Sequence, residues 1–236
     1  MSPRAMIDLI FTVVAVISPT VYGSLTITDD EYPLMHFTKL ISEEHFTPGR
    51  PLVIMLPITP LGAALPPADS SNKEAGYLIE ELHTSGRWPI LVYNVGYKTN
   101  GNMYIEIQQH GSYIILTSGP CTEWEYHTAS LSQQVYELIS GKNTKHSWNP
   151  TATFVVSVMS NCTQSDNKII SRAILERLWS HNVMNAAVLF LKSNKPAGND
   201  LQQNTTVSAQ GTYVELHTWY LMGIQTDAIQ LKAMNW

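Results

Sequence analysis

The sequence predicts an α/β fold in three layers, a mostly parallel sheet with helices on both faces. Three observations carry that expectation. Short, almost wholly apolar runs recur along the chain, as in strands buried on both faces of a parallel sheet. Segments with apolar residues three and four apart alternate with those runs. Clusters of Pro, Gly, Asn and Ser separate the two kinds of segment, so the chain reads as repeated strand and helix units.

Taken in order, residues 24–50 form a polar lead-in. The first strand is Pro51-Leu52-Val53-Ile54-Met55-Leu56-Pro57, an apolar run bracketed by prolines. A loop from Thr59 to Ala68 leads to Ser70-Ser71-Asn72-Lys73-Glu74, where hydroxyls precede a carboxylate at capping-box spacing. The helix it opens places Ala75, Leu78, Ile79 and Leu82 on one face and Glu74, Glu80 and Glu81 toward water, and it stops at Ser85-Gly86. Trp88–Tyr93 is the second strand and Ser112–Thr117 the third. Between them, past Asn100-Gly101-Asn102, the run Met103 to Ile107 fits either an edge strand or part of a helix.

The second helix spans Thr122 to Ile139, with Ala129, Val135, Leu138 and Ile139 among its apolar positions, and Ser140-Gly141 ends it. Thr153–Met159 is the fourth strand. The third helix runs from Asp166 to His181, with Ile170, Ala173, Ile174, Arg177, Leu178 and His181 recurring at three and four. Asp166 suits an N-cap, and Arg177 and His181 suit the negative end of the helix dipole. Ala186–Leu191 and Thr212–Trp219 are the fifth and sixth strands, so the α/β domain spans residues 51–220.

Composition narrows the class. The chain of 236 residues carries a net charge of −5, with no basic surplus for nucleic acid or anionic lipid. It is 44% hydrophobic but only 14% charged, where globular domains average roughly 25% charged residues, so it is ordered and weakly charged. Residues 1–23 read as a secretory signal peptide: Arg4 near the start, an apolar run Leu9 to Ile17, a break at Pro19, and small residues near Gly23. The alternative is a membrane anchor, but that run is about half of the roughly 20 residues a spanning helix needs. Two sequons agree with export, Asn161-Cys162-Thr163 and Asn204-Thr205-Thr206, which makes Asn161 and Asn204 the candidate glycosylation sites.

Catalytic signatures are sparse. No dinucleotide fingerprint, nucleophile elbow or zinc-protease motif occurs, and Ser140-Gly141-Lys142-Asn143-Thr144 follows a helix where a phosphate loop would follow a strand. The eight histidines include no pair three or four apart, so no local metal site is written and neither a metal nor a cofactor is expected. Glu80-Glu81 reads as a solvated helix face rather than an acid/base pair, and Trp124, Trp148, Trp179 and Trp219 read as packing residues before ligand platforms. Cys121 follows the third strand and Cys162 the fourth, so adjacent parallel strands bring both to one edge of the sheet. A bridge between them is the expectation for an exported chain, with two free buried thiols as the alternative.

Four segments taken together resemble the divergent insect ionotropic receptors, chemosensory relatives of ionotropic glutamate receptors. They are Phe154-Val155-Val156-Ser157-Val158 followed by Asn and Cys, the helix Ala173–Trp179, Asn185–Leu189, and Tyr213–Tyr220. The order and spacing are similar to the extracellular N-terminal region of that family, over about Pro51 to Trp236. Asp227–Trp236 is similar to the segment just ahead of the family's ligand-binding lobes, which makes 221–236 the start of a truncated following region. Where family members continue with a Pro-Tyr and a cysteine, this chain has Leu221 and Met222 and no later Cys.

The resemblance implies a fold like one half of a periplasmic binding protein, an unknown small-molecule ligand, possible receptor subunits as partners, and contact with a membrane only through a missing downstream region. The family's agonist-clamping residues also lie downstream, so no ligand-binding residue carries over. The expected function is therefore a non-enzymatic, extracellular sensory domain. A freestanding secreted binding module and an exported α/β hydrolase are the alternatives. In either binding reading the ligand belongs at the carboxyl rim of the strands, Pro57 to Ala63, Asn94 to Tyr97, Ser118 to Cys121 and Ser160 to Thr163.

Overall fold

A computed structural model describes residues 32–58, 69–95, 108–141, 146–193, 212–218 and 229–232. Residues 1–23, expected to be a signal peptide, and Met103 to Ile107, Asn204, Trp219 and most of 221–236 lie outside those residues. The elements run α1 (Pro33–His45), β1 (Leu52–Met55), α2 (Asp69–Ser85), β2 (Ile90–Tyr93), β3 (Ser112–Thr117), α3 (Trp124–Ser140), β4 (Thr153–Val158), α4 (Gln164–Trp179), β5 (Ala186–Ser193), β6 (Thr212–Thr218) and β7 (Ile229–Lys232).

The strands form one sheet in the order β2-β1-β3-β4-β5-β6-β7. Pairing is parallel from β2 through β5 and antiparallel for β5 with β6 and β6 with β7. Side chains alternate between two cores, as the two-residue period of a strand requires. Val53, Met55, Tyr113, Ile115, Phe154, Val156, Val188 and Phe190 pack under α3 and α4. Leu52, Ile54, Ile114, Leu116, Val155, Leu189, Val214 and Leu216 pack under α1 and α2. The sheet is thus covered on both faces, as the alternation of apolar runs and amphipathic segments predicts. Tyr113 and Phe154 are register partners on β3 and β4, and their rings stack with centroids 4.3 Å apart.

The lead-in reading of 24–50 is corrected by α1. Pro33 occupies its first turn, where a missing N–H costs nothing, and Leu34, Met35 and Phe37 are buried in the α1/α2 core. Its buried stripe continues through Thr38 and Ser42, and those polar residues hide the helical period in the sequence. Thr38 Oγ1 donates to Leu34 O at 2.8 Å and meets Ser157 Oγ on β4 at 2.8 Å, so the helix is tied to the sheet through a satisfied polar pair. Lys39 Nζ pairs with Glu81 of α2 at 2.5 Å.

Other boundaries shift for local reasons. Helix α2 begins at Asp69, so Ser70 and Ser71 lie within its first turn rather than ahead of it. Its stop at Gly86 is as expected, with φ of +63° there. In α4 the cap is Thr163, whose Oγ1 accepts from Asp166 N; Asp166 is three residues in, returning a carboxylate to the same hydroxyl. That helix ends at Trp179, leaving His181 beyond it, and left-handed Asn182 (φ +63°) turns the chain while Val183 N donates to Leu178 O. Ala129, an expected apolar position, is exposed on α3, and Trp179, expected as a packing residue, is 38% exposed.

Candidate functional site

The crossovers reverse direction between β1 and β3. From β1 the chain passes through α2 to β2 on one side, and from β3 through α3 to β4 on the other. Strand ends diverge at such a switch point, and ligands of doubly wound sheets sit in the crevice just outside it. Of the expected rim, Pro57, Ile58, Asn94, Val95, Ser118 to Cys121 and Ser160 to Thr163 fall within the described residues; 59–63 and 96–97 do not.

Helix α3 lies under this point and presents a polar stripe to it. Gln134 Nε2 donates to Leu56 O at 2.7 Å and to Leu116 O at 3.0 Å, which bridges the chains leaving β1 and β3. Ser130 Oγ donates to Ile58 O at 3.3 Å, and His127 Nδ1 lies 3.0 Å from Thr117 Oγ1 at the end of β3. All three side chains are buried. Burial pushes His127 below the ordinary imidazole range, against a smaller opposing pull from the Pro120 carbonyl. The neutral ring therefore offers one donor and one acceptor. Three buried atoms here have no hydrogen-bond partner: His127 Nε2, Gln134 Oε1 and Tyr126 Oη. Such atoms are uncommon in folded proteins and mark a place where a water or ligand group is expected.

Two staples fix the rim. Cys121 and Cys162 are bonded, with Cα atoms 5.2 Å apart, which resolves the alternative of free thiols. Ser160 Oγ donates to Gly119 O at 2.7 Å and accepts from Gly119 N at 3.0 Å, a second clamp between the same two loops. Gly119 lies against the Tyr126 ring so closely that a Cβ there would meet Cδ1 at 2.4 Å. The rim residues Ser118 to Cys121 and Ser160 to Thr163 are uncharged, which suits a neutral polar guest held by amides, hydroxyls and an aromatic edge. Asn161 is exposed on this rim.

A second polar cluster lies between α4 and β6. Asn167 Nδ2 donates to Glu215 Oε2 at 2.9 Å, His217 Nδ1 meets Ser171 Oγ at 3.2 Å, and His217 Nε2 stands 3.4 Å from Glu215 Oε1. A serine, a histidine and a carboxylate in this arrangement invite a nucleophilic reading. However, Glu215 and His217 are each 1% exposed, Ser171 is fully buried, and the serine hydroxyl also donates to Lys168 O, so no substrate reaches it in this conformation. Burial pushes His217 down, with Glu215 pulling the other way.

Between the outer faces of α3 and α4 runs an open groove of about 400 Å³ with half-exposed Trp124 at one lip and Arg177 at the other, the latter donating from Nε to Ser132 Oγ at 2.7 Å. Trp148 packs on Tyr113 and Phe154, the packing role expected of it. Among the described residues no group of three or more His, Cys, Asp or Glu stands close enough to hold a metal, and no helix is long and apolar enough to cross a membrane.

The strand-end rim is legible in the sequence, whereas Tyr126, His127, Ser130 and Gln134 are not among the residues it singles out. The available signal was a polar stripe at 127, 130 and 134, at helical spacing beside the apolar positions 131, 135 and 138. The class these features define is a doubly wound α/β domain whose loops after β3 and β4 are joined by a disulfide beside the switch point. No family model matches the chain, and neither curated proteins nor solved structures give a match to it.

Proposed function

We propose that this chain is an extracellular ligand-binding domain of an ionotropic-receptor-like chemosensory protein, and that its ligand is a small neutral polar molecule seated at the switch point between β1 and β3. The observation that carries the binding reading is the trio of buried, unpartnered atoms, Gln134 Oε1, His127 Nε2 and Tyr126 Oη, beside the diverging strand ends. A guest that donates to Gln134 and either donates to or accepts from His127 removes an unmet hydrogen-bonding demand, which is a source of selectivity for polar over apolar ligands. The receptor half of the reading rests on the signal-like start, the disulfide and the four resembling segments. Those segments fall on consecutive elements, β4, α4, β5 and β6.

Binding is tested by a thermal-shift and calorimetric screen of small neutral volatiles, amides, alcohols and sugars against the secreted domain, repeated with Ser118→Trp, which fills the rim mouth from a half-buried position. Loss of binding with an unchanged circular dichroism spectrum supports the site; a variant that binds every ligand as the wild type does overturns it. The receptor reading is tested by sequencing the messenger RNA past the Trp236 codon. A frame that runs into apolar segments of roughly 20 residues, the spanning length, supports it. A stop at that codon favours a freestanding secreted binding module with the same crevice.

A further inference from the structure

We propose that Asn161 is glycosylated only while Cys162 is a free thiol, so that closure of the Cys121–Cys162 bond shuts the sequon and two modifications compete for one tripeptide. The inference rests on the exported reading above and is independent of any ligand. The sequon Asn161-Cys162-Thr163 is unusual in that each of its residues has a different fate in the folded rim. Asn161 is exposed, Cys162 is 7% exposed and bonded to Cys121, and Thr163 caps α4.

A transferase must take the sequon as an accessible peptide, reading the asparagine together with the hydroxyl two residues on. In the closed rim that hydroxyl is already used: Thr163 Oγ1 donates to Asp166 Oδ2 at 2.6 Å and accepts from Asp166 N at 3.3 Å. The preceding residue is also held, since Ser160 Oγ is clamped to both the N–H and the carbonyl of Gly119. The bond itself sets the Cys121 backbone against the middle of the sequon, with 5.2 Å between the two Cα atoms, where an enzyme cleft would have to close. Even in an otherwise unfolded chain the bond alone imposes this second strand on the tripeptide.

The reverse order meets no obstacle, because the exposed asparagine lets a glycan stand in solvent while its neighbour's sulfur turns inward. Glycan first and bond second is permitted; bond first excludes the glycan. In the transfer, Asn161 Nδ2 bonds to the anomeric carbon of a lipid-linked saccharide, that carbon's bond to pyrophosphate oxygen breaks, the lipid pyrophosphate leaves with the electron pair, and the amide proton goes to a base of the transferase. In the closure, the two thiols lose two electrons and two protons to a dithiol–disulfide oxidant of the secretory pathway, which is reduced to its dithiol.

The second sequon, Asn204-Thr205-Thr206, contains no cysteine and serves as the internal reference, although it lies outside the described residues. The test expresses the full chain in a eukaryotic secretory host and measures site occupancy by glycopeptide mass spectrometry on cellular and secreted protein together. Wild type is expected to show lower occupancy at Asn161 than at Asn204. Cys121→Ala, which leaves the sequon intact, should raise Asn161 to the level of Asn204 with Asn204 unchanged, and a dithiothreitol pulse during synthesis of wild type should do the same. Misfolding of the variant does not blunt the test, because occupancy is read on all chains and the reductant arm needs no substitution. Equal occupancy at Asn161 in wild type, variant and pulsed cells, with Asn204 modified, overturns the proposal alone. Absence of glycan at both asparagines in every arm overturns the proposal, and absence of the chain from the medium as well overturns the exported reading.

Discussion

Asn167 Nδ2 donates to Glu215 Oε2 at 2.9 Å across the seam between α4 and β6, and both side chains are buried. This bond, with the Ser171–His217 contact beside it, pins the first antiparallel strand to the parallel part of the fold. Asn167→Leu leaves the carboxyl oxygen without its donor in a site closed to water, and the expected loss is about 2–3 kcal/mol in urea unfolding. The double variant Asn167→Leu/Glu215→Leu should recover part of it, because neither unmet partner remains. A single variant as stable as wild type would show that β6 is held by its apolar face, through Val214 and Leu216, alone.

Acid should loosen the domain, and His110 should be the largest single reason. Its ring is fully buried, Nδ1 lies 3.0 Å from Tyr113 Oη, and burial pushes its pKa from 6.5 down to about 4. Because the folded value is below the unfolded one, the unfolded chain binds the extra proton first. Stability is therefore complete above pH 6.5 and falls as pH drops from there toward 4, by about 3 kcal/mol for this group. His127 and His217 are shifted the same way by burial and add to the slope. Urea midpoints at pH 7 and pH 4.5 measure it, and His110→Asn should flatten part of the difference. An equal slope in the variant would assign acid sensitivity elsewhere.

The Cys121–Cys162 bond joins residues 41 apart, and removing it should cost about 4 kcal/mol in the chain-entropy account. Cys121→Ala/Cys162→Ala is expected to fold with a lower urea midpoint, since the Ser160 clamp on Gly119 still joins the two loops. Adding Ser160→Ala should then free the rim, read as faster amide exchange at Gly119. Unchanged exchange in the triple variant would mean that the packing under α3 and α4 suffices to place the rim.

How much of this was legible beforehand follows from which signals are local. The run Leu52–Met55 is apolar on both faces, so it declares a central strand by composition alone, and the pairing of Cys121 with Cys162 follows once β3 and β4 are neighbours. Helix α1 was missed because Thr38 and Ser42 occupy its buried stripe and are satisfied by Leu34 O, Thr38 O and Ser157, partners that hydropathy does not reveal. The buried polar residues of α3 are hidden for the same reason: Gln134 is buried where two strand-end carbonyls, on chains that diverge, both need a donor. The antiparallel direction of β6 is likewise a property of pairing, and nothing in its own residues encodes it.

Gly119 and Tyr126 should behave as one unit. The glycine is not in the left-handed region, so its role is contact: a Cβ would stand 2.4 Å from Tyr126 Cδ1 and 2.6 Å from Cε1, far inside van der Waals distance. Tyr126 is buried, so its ring has little room to withdraw, and Gly119→Ala is expected to destabilise by about 1–3 kcal/mol through overpacking. Removing the ring in Tyr126→Ala should abolish that penalty, giving a coupling in the double-mutant cycle of roughly the full cost of the alanine. The same substitution displaces a ring packed against the Ser118–Cys121 rim, so Gly119→Ala should also weaken any ligand found in the rim screen while leaving the disulfide intact. Additive effects of the two substitutions would show that the loop yields and the ring does not sense it, and would remove Tyr126 from the walls of the site.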